Sequence, residues 1–218
     1  MKLYKYTKRK YLDKMIHHEN LRITPYKDYS NQDRYGDKIG DREEGMKSVY
    51  NPDNFYAQGP DDLPPVARQT ISMVPGAKVV SINSVHIYTT KFPECHIFSA
   101  SSSLSAATHE SMGGGYDCCY EIDDADQFFH EISKALIQAG YKIQKSETYK
   151  KIVYSQKFMH YRHENVEMSS IYLKPEKYKD QNEYRSYWKL ENTEQQSIDI
   201  EVPGISKIIR EVEIPKPL

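Results

Sequence analysis

Three cysteines, Cys95, Cys118 and Cys119, are all that 218 residues carry. The number is odd, two are adjacent and no CxxC occurs, which argues against both a disulfide framework and a cysteine zinc site. The first dozen residues, MKLYKYTKRKYL, contain no apolar run of the signal-peptide kind. No window reaches the length of a membrane-spanning helix. These absences lead to the expectation of a cytoplasmic protein without membrane contact. Charge of one sign is also missing, with 30 basic against 31 acidic residues. Such a balance excludes a chain built to coat nucleic acid, though not a local basic patch. GxxxxGK[ST], GxGxxG, HExxH and GxSxG are all absent, which removes the usual phosphate loops, zinc helix and serine elbow.

Tyrosine is abundant: 19 of the 218 residues. Mean hydropathy is low at −0.79, yet aromatics make up 12% of the chain, too many for a disordered polymer. An apolar ring with a polar tip suits a thin, sheet-rich core, or a cleft that stacks on flat ligands. A coding bias toward Tyr, Lys, Ile and Asn accounts for the same count.

The length predicts a single domain over 1–218. LYKYT (3–7) alternates as a strand, Thr7 is placed to cap a helix over 8–19, and NLRITP (20–25) reads as a second strand. Residues 26–65 read as a long loop or lid-like insert with one short helix near Asp41–Tyr50. Strands are expected over 67–74, 77–84, 86–91, 95–103 and 116–123, with a helical turn over 104–111. The strongest helix follows, capped by Asp123 or Asp124 and ended by Gly140, with Phe128, Phe129, Ile132, Leu136 and Ile137 as its apolar stripe. A strand is expected around 149–154, a segment helical early and extended late over 158–174, and strands over 184–191 and 197–203. Strands and helices do not alternate, so the class is α+β: a strand-rich split β core with two or three flanking helices.

Candidate chemistry is sparse. His160 and His163 have helical ligand spacing but no third partner, so no metal is expected. His109 precedes the GGG loop (113–115) and is a candidate base or a surface residue. The hydroxyl run SASSSLS (99–105) suits either a polar turn or a ligand contact. In DQNEYRSYW (180–188), Glu183 and Arg185 fall on one side of a strand with Tyr187. They form either a solvated ion pair or part of a site that opens a glycosidic bond.

The order LYKYT, a helix, LRITPYKDY, then IFSASSS, GGGYDCCYEID and finally YLKPEKYKDQNEYRSYW resembles a widespread bacterial and phage domain family that is remotely similar to the ADP-ribosyltransferase-like fold. The likeness spans about residues 3–190 and rests on short motifs. It implies an NAD cleft in a split sheet, with NAD as substrate. It implies a first-strand contact at Tyr4 or Tyr6 with Thr7, hydroxyl support from Ser99 and Ser101, and a late Glu183 as the catalytic carboxylate with Tyr6. Tyr120 would border the nicotinamide, and Arg22 or Arg185 would hold the pyrophosphate. This chain has Lys5 and Tyr6 where a first-strand His or Arg is usual. The implied activity is ADP-ribosyl transfer to a protein or nucleic-acid acceptor by a toxin or phage-conflict effector. The alternative is a non-catalytic nucleotide- or protein-binding module on the same fold.

Overall fold

The computed structural model describes residues 1–30, 45–69, 71–82, 84–91, 94–113, 115–191 and 196–216. In chain order it runs β1 (Leu3–Thr7), α1 (Arg9–His18), β2 (Asn20–Pro25), β3 (Met46–Asn51), β4 (Phe55–Ala57), α2 (Pro65–Arg68), β5 (Val79–Ser81), β6 (His86–Lys91) and β7 (His96–Ser101). It continues with α3 (Ala106–Ser111), β8 (Cys118–Ile122), α4 (Ala125–Gln138), β9 (Ile143–Lys151), β10 (Val153–Tyr154), β11 (Phe158–His160), β12 (Leu173–Lys174), β13 (Glu183–Leu190), β14 (Ile198–Glu201) and β15 (Ile209–Val212). The result is a strand-rich α+β protein in which antiparallel pairing dominates.

The main sheet has eight strands in the order β14-β2-β7-β1-β8-β15, with β13 and then β9 added along β7. One face carries the larger core. There Leu3, Phe98, Tyr120, Ile122 and Trp188 pack against Phe128, Phe129, Ile132 and Leu136 of α4. The rings interlock, with Phe98 5.3 Å from Phe128 and Phe129 6.3 Å from Trp188. Asp124 caps α4 by accepting from Gln127 N at 3.2 Å. Gly140 follows at φ +89°, a conformation that favours glycine after a helix end. The opposite face holds a smaller cluster of Tyr26, Ile97, Ile152, Ile171, Tyr172 and Tyr187. Small sheets of β3, β6 and β11, of β4 and β5, and of β10 and β12 complete the fold.

Several boundaries differ from the sequence reading. Thr7 does not cap α1; it stays in β1, and Lys8 occupies the cap position without a side-chain bond. The helix expected near Asp41–Tyr50 is a strand from Met46, which pairs with β6 and β11 while Lys47, Val49 and Asn51 alternate inward; residues 41–44 lie outside the described residues. The described residues of 67–74 form no strand: tandem prolines start the short α2, whose Val66 and Ala67 are buried. The early part of 158–174 is a strand and turns rather than a helix. Ile137 is 62% exposed and drops out of the α4 stripe. The span 26–65 is only partly loop, since it contains β3 and β4.

Candidate functional site

Three adjacent strands bring the distant motifs together. In β1, β7 and β13, Tyr4 pairs with Ser101, and Ser101 pairs with Glu183. Two residues along, Arg185 pairs with Ser99. Paired residues in antiparallel strands share a face, so Tyr4, Ser101 and Glu183 form one row and Ser99 and Arg185 the next. This face, opposite the α4 core, forms the wall of a cleft lined by Tyr4, Lys5, Tyr6, Ser99, Ser101 and Glu183. Lys174, Gln181, Tyr29, Met112 and Tyr116 also line it. About 500 Å³ of empty space lies within it, counted out to solvent. Only about 60 Å³ of it is cavity proper, the space open to a water-sized sphere.

Glu183 anchors an ion network. Its Oε1 accepts from Arg185 Nε at 2.6 Å, and its Oε2 accepts from Lys174 Nζ at 2.8 Å and Arg185 Nη2 at 3.3 Å. Arg185 is fully buried, while Lys174 and Glu183 are 4% and 5% exposed. The guanidinium also donates to Ile171 O at 2.9 Å and to Tyr26 Oη at 3.3 Å, and lies 5.6 Å from the Tyr26 ring centre. Lys174 Nζ further donates to Gln181 Oε1 at 2.7 Å. Burial alone would raise the Glu183 pKa. The charges of Arg185 and Lys174, with their hydrogen bonds, override it and hold the carboxyl well below the usual carboxylate range. A carboxylate has about four lone-pair sites, and three donors fill all but one.

The chain folds this way because Pro175 starts a 3₁₀ turn over Glu176–Gln181, which Asn182 ends at φ 45°. The turn reverses the backbone and returns Glu183 to Lys174 across nine residues.

A gap in the sheet supplies the remaining charge. Strand β13 pairs along one edge of β7 from His96 to Ser101. The other edge is shared: β1 pairs only at Ser101, and β2 only at His96 and Ile97. Neither reaches Phe98–Ala100, so the sheet splits there. Lys5 enters this split. Its amine crosses the Phe98 ring at 4.7 Å and donates to Ser99 O at 2.6 Å. Desolvation lowers its pKa to about 8, although the Glu183 charge acts in the opposite sense. The neighbouring Ser99 Oγ is buried and has no hydrogen-bond partner among the described residues.

The hydroxyls divide into structural and available groups. Ser101 Oγ donates to Gln181 O at 2.8 Å and accepts from Ser103 N at 3.0 Å, so it fixes the loop after β7. Tyr6 Oη accepts from Ser105 N at 3.0 Å and lies 3.2 Å from Ser103 O, to which it can donate. Its ring stacks on His109, 5.7 Å away. His109 is tied by Nε2 to Tyr116 O at 2.8 Å, bridging the glycine loop.

Of the residues expected at the site, Tyr4, Tyr6, Ser99, Ser101 and Glu183 line the cleft, and Arg185 stands behind Glu183. Thr7 is buried in pairing with Cys118 at the end of β1. Tyr120 points into the α4 core because alternation puts it opposite Lys5 on β8. Arg22 lies on β2 in a two-bond ion pair with Asp199 of β14, away from the cleft. Lys174 and Gln181 were not anticipated as site residues. No protein-family model, curated protein or solved structure matches the chain.

Proposed function

We propose that this chain is an NAD-dependent ADP-ribosyltransferase-like protein that passes ADP-ribose to a protein or nucleic-acid acceptor inside the cell, as a toxin or phage-conflict effector. One observation carries this reading. Tyr4 and Tyr6, Ser99 and Ser101, and Glu183 come from three separate segments and face one cleft. In the reaction, the bond between nicotinamide nitrogen and ribose C1′ breaks, and its electron pair leaves on nicotinamide. The cationic ribose is then attacked by an acceptor nucleophile, which sheds a proton. Glu183 supplies the negative charge facing that ribose, and its last lone-pair site accepts a ribose hydroxyl. The Tyr4 and Tyr6 rings border the flat leaving group. Lys174 and Arg185 fix the carboxylate's orientation and keep it ionised.

A second reading is favoured by the same network. Two cations offset the single carboxylate, which weakens its hold on a developing positive charge. On that reading the chain is a binding module for a nucleotide or a protein on the same fold. Nicotinamide release from NAD, measured with and without cell lysate, separates the two. The transferase reading expects release that Glu183→Gln abolishes. Stabilisation by NAD or ADP-ribose in a melt without release selects the binding module. Identical release by wild type and Glu183→Gln overturns the role of Glu183.

A further inference from the structure

The split in the main sheet has a chemical consequence of its own. The Lys5 amine carries up to three donors, and Ser99 O is its one acceptor among the described residues. Ser99 Oγ beside it has none. Both residues line the same cleft. Among the described residues, the charged groups that line the cleft are Lys5, Lys174 and Glu183, and Arg185 pairs with Glu183 behind them, three cations to one anion. The other titratable groups that face Lys5 from β8, Cys119 and Tyr120, are both held neutral by burial. The floor therefore carries an excess of two positive charges. A phosphate monoester brings close to two negative charges at neutral pH, whereas a carboxylate brings one.

We infer that Lys5 and Ser99 form a phosphoryl-binding subsite at the gap between β1 and β2, which orients a phosphorylated ligand with its ring toward the tyrosines. The amine donates to one phosphoryl oxygen and the Ser99 hydroxyl to another. This rests on the reading of the cleft as a nucleotide site, but not on any transfer reaction. It also assigns a role to Lys5, which sits on the opposite face of β1 from Tyr4 and Tyr6 and reaches the cleft only because the ladder is broken.

Titration calorimetry on the full chain tests it, with AMP, adenosine and inorganic phosphate as probes. At pH 7, AMP binds about 10- to 100-fold more tightly than adenosine, the worth of one or two charge-assisted hydrogen bonds. Lys5→Met and Ser99→Ala each erase most of that ratio and leave adenosine affinity unchanged. Lys5→Arg retains it. In wild type the ratio falls as pH rises from 7 to 9.5, because Lys5 loses its charge near pH 8; phosphate ionisation is complete by then. Equal affinity for AMP and adenosine, no binding of any probe, or an undiminished ratio in Ser99→Ala overturns the subsite. Should Lys5→Met fail to fold, Ser99→Ala and the wild-type pH series decide alone. A phosphate preference without nicotinamide release keeps the subsite and removes the transferase. Nicotinamide release without a phosphate preference does the reverse.

Discussion

Arg185 Nε donates to Glu183 Oε1 at 2.6 Å from two residues along the same strand, and both side chains are buried. The i, i+2 spacing places them on one face, but at Arg185 that face is covered by Tyr26 and Ile171 instead of water. Buried pairs and surface pairs respond differently to loss of a partner. Replacing Arg185 with Met leaves Glu183 with Lys174 alone and orphans Ile171 O. The expected cost is about 3–5 kcal/mol of unfolding free energy, read from urea midpoints at pH 7. A cost below about 1 kcal/mol would class the pair with surface ion pairs.

Acid should expose the same network. Glu183 binds a proton near 4.5 when unfolded, but only well below the usual range when folded. The unfolded chain thus takes up protons first as pH falls. The stability that Glu183 contributes is complete above pH 4.5 and drains away below it. Other depressed carboxylates, Asp199 and Glu211, act in the same direction, so the informative quantity is a difference. Glu183→Gln, less stable at pH 7, should lose less between pH 5 and pH 3 than wild type. Parallel acid limbs would remove the assigned cause.

Much of the architecture could be read from periodicity. The strands LYKYT and NLRITP, the α4 stripe with its Asp124 cap, and the CCYEI strand are local patterns, and local patterns survive folding. Thr7 misled because a hydroxyl before a helix is a cap only if its backbone has left the preceding strand. The stretch after Asp41 misled because inward Lys47 and Asn51 break the apolar alternation that marks a strand. At the site, Glu183 and the two serines were legible as types, but their convergence is a matter of strand order. Lys174 and Gln181 were illegible for the same reason: a 3₁₀ turn, and no periodicity, returns them to Glu183. Tyr120 and Arg22 show the converse, since suitable residue types in suitable segments fell on the wrong face or the wrong edge.

Tyr6 offers a test of whether its hydroxyl is structural. It accepts from Ser105 N, and Ser105 in turn caps α3 by accepting from Thr108 N at 3.1 Å. Tyr6→Phe keeps the ring against His109 and removes this bond. The expected loss is about 1–2 kcal/mol, with nucleotide affinity in the cleft changed less than twofold. A large affinity loss with unchanged stability would move the hydroxyl from the loop to the ligand.

Lys5 gives the alkaline counterpart. Burial holds its pKa near 8 in the folded chain against 10.5 when unfolded. Below pH 8 both states are charged, and the folded one bears the cost of desolvating the ammonium. Between pH 8 and 10.5 the folded amine is neutral while the unfolded one still binds its proton. Stability therefore rises with pH across that window, as it must wherever the unfolded state holds more protons. Lys5→Met has no such proton to release. Its stability relative to wild type should be constant from pH 6 to 7.5 and then decline steadily toward pH 10. Urea midpoints of the two proteins over that range measure the difference directly, so tyrosine ionisation common to both cancels. A difference that stays flat through pH 10 would mean that the amine keeps its hydration in the split and is not desolvated by the fold.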